Sequence, residues 1–245
     1  MVAKLSGGKR RDVDEEENDC GAGPCFPTGV WITQLLGAGP LIAWNDWTVD
    51  CTAGCDDDEP PAFGTYRISG QSLQRFYGGK RRNVRRDRTG NPLLAVGGGR
   101  MAMQVGTKVL VLKPNGARVA SVAAPDLESV ALSESELAVA GRAALRLYDP
   151  ANGHLRKTVP LGPNATFALA GVTSRLALLR DDNALELVRL SSGAIVTLSL
   201  KAKAAKGLVD AKLTTAGLFY AYNVAKGRAK GRIVFEPTSR LLARF

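Results

Sequence analysis

Histidine is almost missing from this chain: His154 is the one residue of its kind among 245. A Ser-His-Asp or Cys-His catalytic site would have to use it, and no Gly-x-Ser-x-Gly elbow is present. His154 follows Gly153 where a turn meets a strand, which suits a solvated turn residue. Metal centres built on several histidines are excluded by the same count. The chain also lacks a long apolar run. Its longest, Val30–Trp44, is interrupted by Thr33, Gln34, Gly37, Gly39 and Pro40, whereas a membrane-spanning helix needs roughly 20 consecutive apolar residues. No membrane span is expected. Met1–Asp19 has basic residues, then an acidic run, and no apolar stretch, so it does not read as a signal peptide.

What is present describes a folded protein with many short elements. Hydrophobic residues make up 45% and charged residues 23%, a balance that supports a packed core and argues against disorder. The 27 glycines and 12 prolines are enough to punctuate numerous turns. Net charge is +10, and residues 1–25 carry four basic and six acidic side chains, so the remainder is more basic than the whole. Such a charge can steer a protein toward nucleic acid, an anionic surface or acidic polymers, and says little about fold.

The strongest signal is internal repetition. Each copy has a short apolar strand, a turn, a second apolar strand, an alternating strand, a glycine turn and a last alternating strand. In the first copy Leu93–Val96 leads through Gly97, Gly98 and Gly99 to Met101–Val105, then Val109–Leu112, a turn at Pro114, Asn115 and Gly116, and Val119–Val122. The second runs Val130–Leu132, Leu137–Ala140, Leu145–Tyr148, Pro150–Gly153, Leu155–Val159. The third runs Phe167–Ala170, Leu176–Leu179, Leu185–Leu190, Ser191–Gly193, Ile195–Leu200, and the fourth Ala211–Leu213, Leu218–Tyr222, Arg232–Phe235, Arg240–Phe245.

The turn glycines Gly116, Gly153 and Gly193 are 37 and 40 residues apart, the period of a four-stranded propeller blade. Alternation in Leu185-Glu186-Leu187 and Val196–Leu200 favours strands over helix. Asn115-Gly116 and Asn152-Gly153 supply residues that tolerate positive φ in tight hairpins. Local propensity competes at Leu127–Leu137 and Lys201–Lys212, which are rich in helix formers, but their position in the repeat outweighs it.

An irregular earlier unit spans Cys25–Gly90, with expected strands near Val30–Leu36, Leu41–Val49, Thr65–Ile68 and Leu73–Tyr77 and an acidic loop at Cys51–Pro61. The expected organisation is therefore an irregular or disordered segment 1–25 followed by an all-β, propeller-like repeat domain 26–245, in units 26–90, 91–126, 127–163, 164–207 and 208–245. About five four-stranded antiparallel blades result, and since one blade alone cannot bury both faces, neighbours must stack.

Tyr148-Asp149-Pro150-Ala151-Asn152-Gly153, lying between an alternating strand and Thr158-Val159-Pro160-Leu161-Gly162, resembles the outer hairpin of bacterial WD40-like and quinoprotein-like (PQQ-like) β-propeller repeats. The resemblance covers most of residues 26–245, although no Gly-His or Trp-Asp pair marks the copies. It implies an interaction or ligand-binding platform, with architecture implied far more than activity. Five units are fewer than such folds usually close with, so an N-terminally truncated product and a five-bladed ring are both open.

Cys20, Cys25, Cys51 and Cys55 all fall in the first quarter. Loop placement and even count favour disulfides; one all-cysteine zinc site and free thiols stay open. Disulfides would imply an extracytoplasmic or secreted location. Asp56, Asp57, Asp58 and Glu59 have calcium-type oxygens, but without the spacing of an EF-hand loop they read as solvated charge.

Lys80, Arg81, Arg82, Arg85, Arg86 and Arg88, read as a loop after Phe76 and Tyr77, form a candidate anion-binding stretch that could hold a phosphate backbone. Lys226, Arg228, Lys230 and Arg232 form a smaller one. Trp31, Trp44 and Trp47 are expected to pack in the core, and Asn164-Ala165-Thr166 matches a glycosylation sequon. The leading expectation is a non-catalytic, cofactor-free binding or scaffold protein presenting loops to a protein or carbohydrate partner. The alternative is a basic module binding nucleic acid or another anionic polymer through the Arg-rich stretch. An enzyme with carboxylates converging from different blades is a third reading.

Overall fold

The computed structural model describes residues 29–53, 65–77, 80–87, 93–162, 167–180, 184–198, 200, 208–223 and 231–245. Contacts divide the chain into two compact units, 1–93 with 113–117, and 94–112 with 118–245. Among the described residues the fold is almost entirely β, in five antiparallel sheets.

The first unit holds one four-stranded sheet in the order β1 (Gly29–Ala38), β2 (Leu41–Ala53), β3 (Thr65–Tyr77) and β4 (Lys80–Asp87). Residues 39–40 close the β1–β2 hairpin, and Leu41, Ala43, Trp44 and Leu73 are buried. Two sequence expectations are corrected here. The segments Thr65–Ile68 and Leu73–Tyr77 are one continuous strand, because Gly70 pairs with Thr48 and does not break the ladder. The Arg-rich stretch is a strand and not a loop: Lys80 pairs with Tyr77, Arg81 with Phe76, and Arg85 with Leu73. It carries no apolar alternation to announce a strand. Charged residues are a common guard of a terminal strand, which otherwise invites pairing with another chain.

The second unit contains three four-stranded sheets and one of three strands. They comprise β5 (Leu93–Gly97), β6 (Arg100–Val105), β7 (Lys108–Leu112) and β8 (Arg118–Ala123); β9 (Leu127–Leu132), β10 (Leu137–Gly141), β11 (Ala144–Tyr148) and β12 (Leu155–Pro160); β13 (Ala168–Val172), β14 (Leu176–Arg180), β15 (Leu185–Arg189) and β16 (Ile195–Thr197); and β17 (Leu208–Leu213), β18 (Gly217–Asn223) and β19 (Gly231–Pro237). The helix-prone residues Leu127–Leu132 are strand β9, as their place in the repeat requires.

The expected strand Arg240–Phe245 is instead a short helix, α1 (Thr238–Leu242), which leaves the last sheet one strand short. Pro237, the last residue of β19, is the extended N-cap of this helix, and beyond it the Thr238 N–H still donates to the Ala216 carbonyl at 3.1 Å. Leu241, Leu242 and Phe245 then share a helical face against the neighbouring sheets.

Three apolar clusters are sandwiched between consecutive sheets. Val109, Val111 and Val122 of the β5–β8 sheet meet Val130, Leu137 and Val139 of the next. Leu145, Leu147 and Val159 meet Ala177, Leu179 and Val188. Leu176, Leu178, Leu185 and Leu187 meet Ala211, Leu213, Leu218 and Leu241. Period-two alternation gives each strand two apolar faces, and buried sheets stacked on both sides use both.

The hairpin glycines behave as the sequence predicts. Gly116, Gly153 and Gly193 have φ of 86°, 78° and 83°, a region side chains with Cβ rarely enter. A polar side chain three residues before the following strand steadies each turn. Asn115 Oδ1, Asn152 Oδ1 and Ser192 Oγ accept from the N–H of Ala117, His154 and Ala194 at 3.1, 2.8 and 3.2 Å.

A second repeating turn, between the first and second strands of a sheet, escaped the sequence reading. Ser133, Thr173 and Thr214 each turn the chain back on itself. Their N–H groups donate to the carbonyls of Glu136, Leu176 and Gly217 at 2.8, 2.8 and 2.9 Å, while their hydroxyls accept from the same residues' N–H at 3.0, 3.0 and 3.4 Å. Hydroxyl residues suit such turns because they bond the nearby backbone.

Candidate functional site

In the second unit a cleft of about 500 Å³ opens where the β9–β12 sheet, the β13–β16 sheet and α1 meet. Leu147, Leu190 and Leu242 form its apolar part; Arg156, Lys157, Arg175 and Arg189 bring positive charge, against the single carboxylate of Glu136. Ser174 and Ser191 complete the rim.

The local folding explains this placement. Glu136 closes the Ser133 turn and Arg175 lies inside the Thr173 turn, so the two hydroxyl turns project them from the same end of adjacent sheets. Arg156 and Lys157 stand at the start of β12, next to the Gly153 hairpin, and Arg189 ends β15 at the Gly193 hairpin.

Arg156 organises the acidic side. One guanidinium nitrogen donates to Glu136 Oε1 at 2.7 Å and the other to Asp149 Oδ2 at 2.7 Å, with a further bond to the Ser135 carbonyl at 2.8 Å. Burial pushes the Glu136 carboxyl above its ordinary range, outweighing the pull of Arg156. Its Oε2 is buried and accepts no hydrogen bond among the described residues. Asp149 is held below its ordinary range, first by the N–H of Ala151, then by Arg156.

The remaining cations are not neutralised by carboxylates among the described residues. Lys157 Nζ donates to the carbonyls of Leu190 and Ser191 at 3.1 and 2.6 Å, tying one sheet to the hairpin of the next. The Arg189 guanidinium lies 6.0 Å from the Phe245 ring centre, at the limit of a cation–π contact. Arg175 is exposed and makes no ion pair among the described residues. The result is an apolar floor with an excess of fixed positive charge, suited to holding carboxylate, sulfate or phosphate groups.

The sequence-predicted candidates fall elsewhere. Lys80, Arg81, Arg82, Arg85 and Arg86 lie along β4, where Lys80 is exposed; the side chains from Arg81 onward, and Arg88 altogether, lie outside the described residues. Cys20, Cys25 and Cys55 also lie outside them. Cys51 takes part in β2 opposite Tyr66, its side chain undescribed. Asp56–Glu59, Asn164–Thr166, Lys226, Arg228 and Lys230 are likewise outside the described residues.

His154 is exposed and acts through its backbone, its carbonyl accepting from the Asp149 N–H at 2.9 Å. Trp44 is buried at 1% exposure, and the backbones of Trp31 and Trp47 face each other in the ladder. Among the described residues no group of three or more metal-type side chains comes together, and no helix is long and apolar enough to cross a membrane. The cleft residues were missed because they are scattered singly through the repeats. Only the recurrence of the hydroxyl turns, with Glu136 three residues after Ser133 and Arg175 two after Thr173, could have linked two of them.

No family model and no curated protein matches the chain. Among solved structures, the computationally designed Ika8 protein is similar at 11% identity, covering 82% of this chain with a TM-score of 0.50. The chain spans 61% of that protein's length. BamB from Moraxella catarrhalis is similar at 13% identity over 80% of this chain and 60% of its own, TM-score 0.45. The WD40 domain of Neurospora crassa Pan2 is similar at 11% over 78% and 72%, TM-score 0.45. At these identities the likeness concerns fold alone. Together with the stacked four-stranded sheets it shows the fold: all-β and propeller-like, built of antiparallel sheets.

Proposed function

We propose that this protein is a non-catalytic propeller-type binding module whose second unit receives an acidic segment of a protein partner. The observation that carries this reading is the cleft of Arg156, Lys157, Arg175 and Arg189 over Leu147, Leu190 and Leu242. Carboxylates of a partner would meet the guanidinium groups, while its apolar side chains covered the leucines. Acidic carbohydrate is the competing ligand, and it lacks the apolar contact. The favoured location is extracytoplasmic, resting on the placement of Cys20, Cys25, Cys51 and Cys55 in the sequence.

The test is fluorescence anisotropy with a labelled peptide of alternating glutamate and leucine, titrated against the full chain at several salt concentrations. Affinity should weaken with salt and fall about tenfold or more in Arg175→Glu and Arg189→Glu, exposed or half-buried positions where a charge swap is tolerated. Binding unchanged by both substitutions refutes the cleft. Binding to single-stranded DNA lost in Arg85→Glu with Arg86→Glu, and indifferent to Arg175→Glu, would transfer the function to β4 and an anionic polymer.

A further inference from the structure

Glu136 supplies the carboxylate of the cleft wall, and its surroundings leave that group half satisfied. The backbone is pinned on both sides by the Ser133 turn: the Glu136 N–H donates to Ser133 Oγ at 3.0 Å, and the Glu136 carbonyl accepts from the Ser133 N–H at 2.8 Å. The residue keeps 8% of its exposure. Oε1 accepts the Arg156 bond at 2.7 Å, while Oε2 is buried with no partner among the described residues. A buried carboxylate with one oxygen unbonded is costly as an anion and far less so once protonated.

Arg156 lets that charge come and go without disturbing the wall. Asp149, whose side chain is 22% exposed, and the Ser135 carbonyl both hold the guanidinium independently of Glu136. Loss of the Glu136 charge therefore leaves Arg156 in place with its positive charge less offset. The remaining charged groups of the wall are cations: Lys157 beside Arg156 on β12, Arg175 in the Thr173 turn and Arg189 at the end of β15. From α1 comes the apolar Leu242. Toward the β5–β8 sheet, Arg100 donates to the Glu134 carbonyl at 3.1 Å, and Glu134 is exposed. His154, in the hairpin that precedes Arg156, is exposed as well.

We infer that Glu136 is a proton-operated switch of the cleft. When ionised it competes with an acidic segment for Arg156; when protonated it leaves the charge of Arg156, Lys157, Arg175 and Arg189 to that segment. The inference rests on the acidic-segment reading of the cleft and adds its regulation. Burial already holds the Glu136 carboxyl above its ordinary range, which sets the direction. An anion arriving beside Glu136 favours the protonated form further, and by linkage protonation strengthens anion binding by the same factor. Ligand and proton thus enter together, and acidification tightens the complex.

The experiment uses a labelled peptide of alternating cysteate and leucine, whose sulfonates stay ionised throughout. Its anisotropy with the full chain is followed at constant ionic strength from about pH 4.5, at the top of the ordinary carboxylate range, to about pH 7.5. Affinity should be about fivefold or more weaker at the upper end. Binding should also take up protons, read by calorimetry in two buffers of different ionisation enthalpy. Glu136→Gln should bind at the tight level throughout and take up no proton. His154→Gln, which removes the side chain whose ordinary titration falls in this range, should leave both signals unchanged. Binding that ignores pH, a pH dependence as large in Glu136→Gln, or one lost in His154→Gln overturns the switch and leaves the acidic-segment reading standing. Should Glu136→Gln fail to fold, the absence of proton uptake by the His154→Gln chain overturns it equally. Absence of peptide binding at every pH overturns both.

Discussion

Replacing Gly171 with alanine tests how closely the sheets approach at their first strands. Gly171 has φ of 142°, and a Cβ there would stand 2.5 Å from the Leu213 carbonyl oxygen and 3.0 Å from its Cβ and nitrogen. The obstacle is the backbone of β17, which cannot swing aside as a side-chain tip can. Gly193 is the control: φ is 83°, but an added Cβ meets nothing nearer than 3.7 Å.

Gly193→Ala should therefore cost only the left-handed strain, about 1–2 kcal/mol. Gly171→Ala adds about 1–3 kcal/mol of overpacking as β13 and β17 are forced apart, for a total near 2–5 kcal/mol. Urea unfolding followed by fluorescence gives both numbers, provided the slopes match the parent's. Equal losses in the two variants would refute the close approach of β13 and β17, and with it the stacking of the last two sheets.

Two further outcomes follow from the same coordinates. Leu187, with no exposed surface between the fourth and fifth sheets, should lose about 2–5 kcal/mol as Leu187→Ala in the same urea assay; a loss near zero would mean the sheets are not packed there. The pH dependence should divide between two carboxylates. Glu136 holds its proton more tightly folded than unfolded, so its contribution is present at low pH and lost as pH rises through its raised native value. Asp126, held below its ordinary range by the Arg146 bonds at 2.7 and 3.1 Å, contributes above that range and loses its effect as pH falls through the lowered value. Glu136→Gln should thus gain stability relative to the parent as pH rises, and Asp126→Asn should lose it; unfolding midpoints at a series of pH values decide both.

The repeat was legible because its physical cause is local. Alternation at Leu185–Leu187 and the glycines at 116, 153 and 193 each report a strand or a positive φ without reference to distant residues. Lys80–Asp87 was not legible as a strand, since nothing in five cations and a carboxylate reveals pairing with Leu73, Arg75 and Phe76. The end of the chain misled for a related reason. Leu241, Leu242 and Phe245 satisfy either a strand or one helical face, and Pro237, the extended N-cap of the helix, lies at the end of β19. The cleft was the least legible part, because Glu136, Arg156, Arg175 and Arg189 are separated in sequence and meet only when neighbouring sheets align their turns.

Because each apolar cluster lies between two successive sheets and none runs through all of them, cooperativity in the second unit passes from neighbour to neighbour, like links in a row. Loosening one link weakens the adjoining ones first. The three-stranded sheet, with one face bare, has a single such link, secured by Leu241 as a latch. Amide exchange should consequently be graded along the chain, with β17–β19 opening while β9–β12 still hold.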